Sequence, residues 1–266
     1  MYKISKNQVK YVRSLARKKV RDAEGVFVAE GEKCVSELSK YFELVLRADA
    51  TNATALELEQ MSSMKSPQGV LAVFRRPAKE LPDLAALAAE ELVLVLDGVQ
   101  DPGNLGTIIR TADWFGVKHI VCSPDTADCW NPKVVQATMG AIARVKVHYG
   151  DLISLISPIG RIGRTSSPFR GTPTTPGGEF IPIYGTVLNG RNLYEAGASA
   201  AVPEKRHGII VMGNEGNGIS AEVRELITHP LLIPPYPIGA ETSESLNVSV
   251  ATAVVLAEFR RPGRAV

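Results

Sequence analysis

Leu92-Val93-Leu94-Val95-Leu96 runs directly into Asp97-Gly98-Val99-Gln100-Asp101-Pro102-Gly103-Asn104-Leu105-Gly106-Thr107-Ile108-Ile109-Arg110. Five consecutive aliphatics with no polar position describe a strand buried on both faces, as in a parallel sheet covered on each side. The Gly- and Pro-containing stretch after it reads as a loop. Leu105, Ile108, Ile109, Ala112 and Phe115 then recur at helical spacing, with Gly116 as the stop. His119-Ile120-Val121-Cys122 is the next strand. Strand, helix, strand is a βαβ unit, so the fold class expected is α/β with a parallel sheet.

The pattern continues towards the C-terminus. Pro132 to Arg144 reads as a helix and Val145-Lys146-Val147 as a strand. Ile183 to Leu188, Gly208 to Met212 and Leu231-Leu232-Ile233 are further strands. Leu246 to Phe259 is the last helix. Its Val248, Val250, Ala251, Ala253, Val254, Val255 and Ala257 leave little polar face, which predicts burial, in part against a second subunit. Pro158 to Pro182 is rich in Gly, Pro, Ser, Thr and Arg and reads as a long surface loop. Arg161, Arg164 and Arg170 in it could touch phosphates, although a tolerated insertion is the simpler reading.

Upstream, Asn7 to Arg21 is a basic helical stretch and Val26-Phe27-Val28 a short strand. Gly31 to Tyr41 is a helix with Cys34, Val35 and Leu38 on one face. Leu44-Val45-Leu46 and Gly69 to Phe74 are strands. Arg75 to Glu91, with Pro77 and Pro82 in a polar, Ala-rich run, reads as a linker holding a short helix. The expected organisation is a small domain at 1–76, a linker at 77–91 and a larger domain at 92–266.

Composition bounds the function classes. The 266 residues are 45% hydrophobic and 22% charged, as in an ordinary globular protein with a real core. Aromatics make up only 6%, so aliphatic packing is expected to dominate. Net charge is +2, yet Met1–Lys33 carries nine basic and four acidic residues, which leaves −3 for the rest. Such a basic end is a plausible RNA footprint, and a solvated basic helix explains it equally well. Cys34, Cys122 and Cys129 are few and irregularly spaced, against a disulfide framework. His119-x2-Cys122-x6-Cys129 lacks the paired spacing of a zinc site, so no metal is expected and buried, inert thiols are the better reading. The N-terminus has no apolar signal-peptide core, and no apolar run would span a bilayer, so the cytoplasm is expected.

Three loops at strand ends carry chemistry-bearing residues, and ligands of open α/β sheets bind at such ends. The first contains Gly103 and Gly106, which would let a substrate approach the backbone. It also holds Asn104 near a helix start and Arg110 among apolar neighbours. The second is Met212-Gly213-Asn214-Glu215-Gly216-Asn217-Gly218. It is neither a Walker A loop nor G-x-G-x-x-G, and Glu215 is an odd choice for a plain turn. The third runs from Ile233 to Ser249, with three prolines at its entry. Ser243 or Ser245 would cap the last helix, which places Asn247 in the first turn.

Together and in this order the loops resemble the three signature motifs of the SpoU/TrmH family of RNA ribose methyltransferases, within the SPOUT superfamily. The matching residues are Asn104, Gly106 and Arg110, then Gly213 to Gly218, then Ser245-Leu246-Asn247-Val248-Ser249. Asn131 to Ala141 also looks like the family's segment between the first two motifs. The likeness covers about Leu92 to Arg261. Phe27-Val28-Ala29-Glu30-Gly31, the preceding Lys18-Lys19-Val20-Arg21, and Pro67 to Ala72 resemble the family's L30e-like RNA-binding domain.

The resemblance implies a deep trefoil knot in the C-terminal domain, which no periodicity shows and general topology rules disfavour. It implies homodimerisation through the knot region and S-adenosylmethionine as cofactor. Leu188, Asn189, Gly190, Met212, Gly213, Asn214, Gly218, Ile233, Pro234, Ile238, Ser245 and Leu246 would hold that cofactor. RNA contacts would come from Lys10, Arg13, Lys18, Lys19, Arg21 and Glu30. The reaction implied is 2′-O-methylation of a ribose, in rRNA more than in tRNA. Arg110 would be the central catalytic residue, with Asn104, Glu215, Ser245 and Asn247 orienting it. The family's proposal of arginine as base is costly for a guanidinium, whose pKa lies above about 12. A grip on the adjacent phosphate is the reading preferred here. Two rivals remain. A dinucleotide-dependent oxidoreductase would need a fingerprint spacing the chain lacks, and an inactive RNA-binding relative would not need Asn104, Arg110, Glu215 and Asn247 intact.

Overall fold

The computed structural model describes residues 3–78, 80–160, 181–194, 207–237, 243 and 245–261. Two compact units emerge. One takes 1–79, 101–110 and 127–144; the other takes 80–100, 111–126 and 145–266. The first 79 residues are therefore joined in their unit by two later pieces of the chain.

In the first unit, α1 (Lys6–Ser14) starts at Ser5, whose Oγ accepts from the Gln8 N–H while the Gln8 side chain accepts from the Ser5 N–H. The expected single basic helix is two. Chain direction changes at Leu15–Arg17, and α2 (Lys18–Glu24) ends at Gly25 with φ 63°. β1 (Val26–Glu30), α3 (Glu32–Leu38), β2 (Leu44–Ala48), α4 (Ala55–Met61) and β3 (Leu71–Arg75) follow. The strands form an antiparallel sheet in the order β1-β3-β2. Alternation sends Val26 and Val28 into a core with Val9, Val12, Leu58, Met61 and Val73. On the other face Phe27 meets Trp130 at 4.7 Å, Phe42 at 5.1 Å and Phe74 at 5.5 Å between ring centroids. This aromatic cluster is local; the buried core elsewhere is chiefly aliphatic, as the low aromatic content predicts.

Helix α7 (Pro132–Thr138) packs on β1. Asn131 caps it and Pro132 opens it. The expected helix to Arg144 stops early because Met139 and Gly140 take φ of 52° and 92°; only a 3₁₀ turn at Ala141–Ala143 follows. Gly106, read from sequence as a place for substrate to approach, is buried against α7. A Cβ there would run into Ala137 and lie 2.9 Å from the Val134 carbonyl. Its smallness serves packing.

The second unit holds a six-stranded, all-parallel sheet in the order β6-β5-β4-β8-β7-β9. The strands are β4 (Leu92–Leu96), β5 (His119–Cys122), β6 (Lys146–Tyr149), β7 (Ile183–Asn192), β8 (Gly208–Met212) and β9 (His229–Leu232). β4 is central and buried throughout, as its all-aliphatic sequence requires. α5 (Leu84–Glu90), capped by Asp83, and α8 (Leu152–Gly160) supply Leu84, Ala88 and Ile156 to a core with Val93, Val95, Ile209 and Val211. α8 includes Pro158 and runs to Gly160, over the start of the expected loop; residues 161–180 lie outside the described ones.

α6 (Pro102–Trp114) follows β4, α9 (Ala221–Arg224) follows β8, and α10 (Val248–Phe259) closes the described chain. α10 is half covered. Val248, Thr252, Val255, Leu256 and Phe259 are buried, whereas Val250 is 50% exposed. Among the described residues no helix is long and apolar enough to cross a membrane. All three cysteines are buried and none is in a disulfide, and burial pushes the Cys34 thiol up to about 11.

Candidate active site

The strand order places a switch between β4 and β8, and loops leaving neighbouring strands diverge at such a point. β8 ends at Met212 and the chain folds back at once. Asn214 and Gly218 exchange backbone hydrogen bonds at 2.9 Å each, enclosing Glu215-Gly216-Asn217. Gly213 lies so close beneath this turn that a Cβ would run into the Gly218 backbone, and Gly218 itself has φ 68°.

Asn214 organises the turn. Its Oδ1 accepts from the N–H groups of Gly216 (2.8 Å) and Asn217 (3.1 Å), and its Nδ2 donates to the Gly98 carbonyl at 2.7 Å. Asp97 makes a second tie, its Oδ2 accepting from the Ser220 N–H at 2.8 Å. Ser123 adds a third, its Oγ accepting from the Gly98 N–H at 2.9 Å. The loops after β4, β5 and β8 are thus hydrogen-bonded into one rim.

Beside that rim lies a cleft of about 840 Å³ at the carboxyl ends of β8, β7 and β9. Thr186, Val187 and Leu188 come from β7, Met212 to Ile219 from β8 and its loop, and Leu231 to Tyr236 from β9 and its exit. Ser243, Ser245, Leu246, Val248 and Ala251 bring the start of α10 into the wall. Glu215 and Arg224 are the charged side chains among these lining residues.

Of the residues expected at the cofactor, Leu188, Met212, Gly213, Asn214, Gly218, Ile233, Pro234, Ser245 and Leu246 line the cleft, and so does Glu215. Asn189 and Gly190 do not. Asn189 accepts from Arg224 Nη2 at 2.6 Å, beside a smaller hollow, and Gly190 is pressed onto the Leu231 backbone, where a Cβ would not fit. Ile238 lies outside the described residues. Asn247 is itself the N-cap of α10, its Oδ1 accepting from the Ser249 N–H (3.0 Å) and Ser249 Oγ (2.6 Å). The helix begins two residues later than a Ser245 cap would place it and four later than a Ser243 cap would.

Asn104 and Arg110 stand on α6, in residues that count with the first unit. Asp101, preceding Pro102, caps that end by accepting from the Asn104 N–H at 2.8 Å. Asn104 therefore occupies the first turn rather than the cap. Arg110 is exposed while Ile108 and Ile109 beside it are buried, and among the described residues it makes no ion pair. Its charge is free for an anion rather than demanded by burial.

Two expected RNA contacts need correction. Arg21 is 1% exposed: it donates to Asp128 Oδ2 at 2.6 Å and to the carbonyls of Leu15 and Ala16. Glu30 is 3% exposed and accepts from Ser62 Oγ (2.7 Å) and the Ser63 N–H (2.8 Å). Both are internal braces. Lys10, Arg13, Lys18 and Lys19 are exposed. Sequence reasoning missed Arg224, Asp97 and Asp101. An Asp immediately before Pro is a cap-and-first-turn signal that could have identified the last.

The family model described as the SpoU rRNA Methylase family matches residues 91–165 and 175–257. A model of an MRM3-like substrate binding domain matches residues 6–48. Over 273 residues the chain is 29% identical to the 23S rRNA (guanosine(2553)-2′-O)-methyltransferase RlmP of Bacillus subtilis, covering 96% of this chain and 97% of the relative. A TrmH-family structure from Porphyromonas gingivalis is 37% identical with TM-score 0.76, over 97% of this chain and 98% of the other. An rRNA methyltransferase structure from Sinorhizobium meliloti, solved with AdoMet, shares the fold at 24% identity with TM-score 0.75, over 98% and 97%.

Proposed function

The chain belongs to the SpoU rRNA methylase family, and on that premise we propose that it transfers a methyl group from S-adenosylmethionine to a ribose 2′-hydroxyl in ribosomal RNA. The observation that carries the reading is the cleft beside the stapled Gly213–Gly218 turn. Its volume lies within the range of about 300–1,000 Å³ usual for small-molecule sites. Leu188, Ile219, Ile233 and Leu246 offer apolar surface for an adenine, and Glu215 offers negative charge to a sulfonium. Bound S-adenosylmethionine would supply the electrophilic methyl.

The chain's own residues then bind, orient and exclude water. Asn214 holds the turn in one conformation before any ligand arrives, which reduces the ordering cost of binding. Arg110 is assigned the phosphate next to the target ribose, because its planar fork can hold two oxygens and fix the 2′-oxygen in line with the donor. Asn104, Glu215, Ser245 and Asn247 are assigned to orienting Arg110 and the hydroxyl. Ribosomal RNA is preferred as substrate because a substrate-binding-domain match occupies residues 6–48 and the Bacillus relative is named for 23S rRNA. Lys10, Arg13, Lys18 and Lys19 would meet phosphates there.

Residues 1–76 are assigned as an L30e-like RNA-binding domain and 92–266 as a SPOUT domain with a trefoil knot; residues 77–91, read from the sequence as a linker, include α5, whose Leu84 and Ala88 belong to the second unit's core. A homodimer through the knot region is supported by the part of α10 that this chain leaves uncovered, around Val250. The site of action is assigned to the cytoplasm.

Transfer of a labelled methyl group from S-adenosylmethionine to deproteinised rRNA, followed by nucleoside analysis, tests this. A single 2′-O-methylated nucleoside is expected; label on a base, or none on rRNA while tRNA is labelled, would overturn the assignment.

A further inference from the structure

We propose that Arg224 recognises the carboxylate of the methyl donor's amino-acid tail and that Asn189 holds the guanidinium in place for it; this rests on S-adenosylmethionine being the occupant of the cleft. The donor carries three charges, a sulfonium, an ammonium and a carboxylate. Among the described residues Glu215 and Arg224 are the charged side chains lining the cleft. Glu215 complements the two cations. Arg224 is the lining side chain that complements the anion, and a guanidinium fork matches a carboxylate in shape as well as charge.

Its surroundings leave that charge uncommitted. α9 is fixed by Val223, 3% exposed in the core beside Ile219, whereas the next residue, Arg224, is exposed. Nη2 donates to Asn189 Oδ1 at 2.6 Å, and that partner is a neutral amide. Among the described residues no carboxylate pairs with the guanidinium, so its remaining N–H groups can meet another acceptor. Arg224 lines both the cleft and a hollow of about 210 Å³ shared with Val187, Asn189, Ile227 and Pro230, so the side chain stands between the two. Asn189 follows Leu188, which lines the cleft, so one short segment supplies both the wall and the bond that aims the arginine.

The test is calorimetric binding of S-adenosylmethionine and of decarboxylated S-adenosylmethionine, which lacks only the carboxylate, to the full chain and to Arg224→Met, Arg224→Lys and Asn189→Ala. The unaltered protein should prefer the carboxylated compound by about tenfold or more. Arg224→Met should abolish that preference by weakening S-adenosylmethionine alone. Arg224→Lys should keep part of it, and Asn189→Ala should reduce it less than Arg224→Met. An unaltered protein that binds both compounds equally, or an Arg224→Met variant that loses both equally, overturns the inference while leaving the cofactor assignment standing. An unaltered protein that binds neither overturns both.

Discussion

Asn214 reaches across 116 positions of sequence to donate to the Gly98 carbonyl at 2.7 Å, joining the loop after β8 to the loop after β4. One side chain therefore both shapes the Gly213–Gly218 turn and ties it to the neighbouring strand end. Asn214→Ala removes that bond and the two that Oδ1 accepts from Gly216 and Asn217. Stability should fall by about 1–3 kcal/mol and cofactor affinity by about tenfold or more. Thermal unfolding and calorimetry check the two effects. An unchanged affinity would remove Asn214 from the account of the cleft.

Gly213→Ala tests the turn from the other side. A Cβ at this position runs into the Gly218 backbone, so the turn must open. S-adenosylmethionine binding should be lost while the far-ultraviolet circular dichroism spectrum stays close to that of the parent. Retained affinity would mean that the turn does not bound the ligand.

Arg110 is exposed and unpaired among the described residues, so altering it should leave stability within about 0.5 kcal/mol. Arg110→Lys keeps the charge but loses the planar fork. If that fork positions the ribose, kcat should fall about 100-fold with S-adenosylmethionine affinity unchanged. Full activity of the lysine variant would refute the need for it.

The basic face and the basic interior should separate cleanly. Replacing Lys10, Arg13, Lys18 and Lys19 by Ala should weaken RNA binding and flatten its salt dependence with little change in stability. Arg21→Met instead strands Asp128, and breaking such a buried pair costs about 3–5 kcal/mol. Urea unfolding and filter binding across a salt series distinguish the outcomes. A stable Arg21→Met variant with a reduced salt slope would return Arg21 to the RNA surface.

Acid sensitivity should come partly from His119. Its ring stacks on His148 with centroids 5.4 Å apart, and Nε2 lies 3.4 Å from Glu91 Oε1. Burial holds its pKa below the ordinary value, against the pull of Glu91, with His148, Lys146 and Lys118 reinforcing the depression. The folded state then binds the proton more weakly than the unfolded one. The stabilisation is complete above the unfolded value near about 6.5 and is lost as pH falls through the folded value. His119→Gln should lose less Tm than the parent between about pH 7.5 and about pH 5.5. An equal loss would assign the effect elsewhere, with His229, depressed by burial and Arg191, the next candidate.

The parts of this molecule legible in the sequence are those fixed by local pattern. Leu92–Leu96 and Gly208–Met212 are buried throughout, and their unbroken aliphatic runs have few other uses. The Gly213–Gly218 turn was visible because glycine is demanded where backbones touch. Long-range pairing was not legible. Nothing near Arg21 announces Asp128, 107 positions away, so a basic run looked like surface throughout. Met139 takes a left-handed conformation that its residue type does not advertise, and the helix expected to reach Arg144 ended there. Arg224 was overlooked because a lone arginine in a helical turn has no local signature; only the cleft around it gives it meaning.

Mapping 2′-O-methyl positions in total rRNA from cells with and without this gene tests the central claim most directly. One position should be fully methylated with the gene, unmethylated without it, and restored by the intact protein but not by Gly213→Ala. Identical rRNA maps in the two strains, or a difference confined to tRNA, would contradict it.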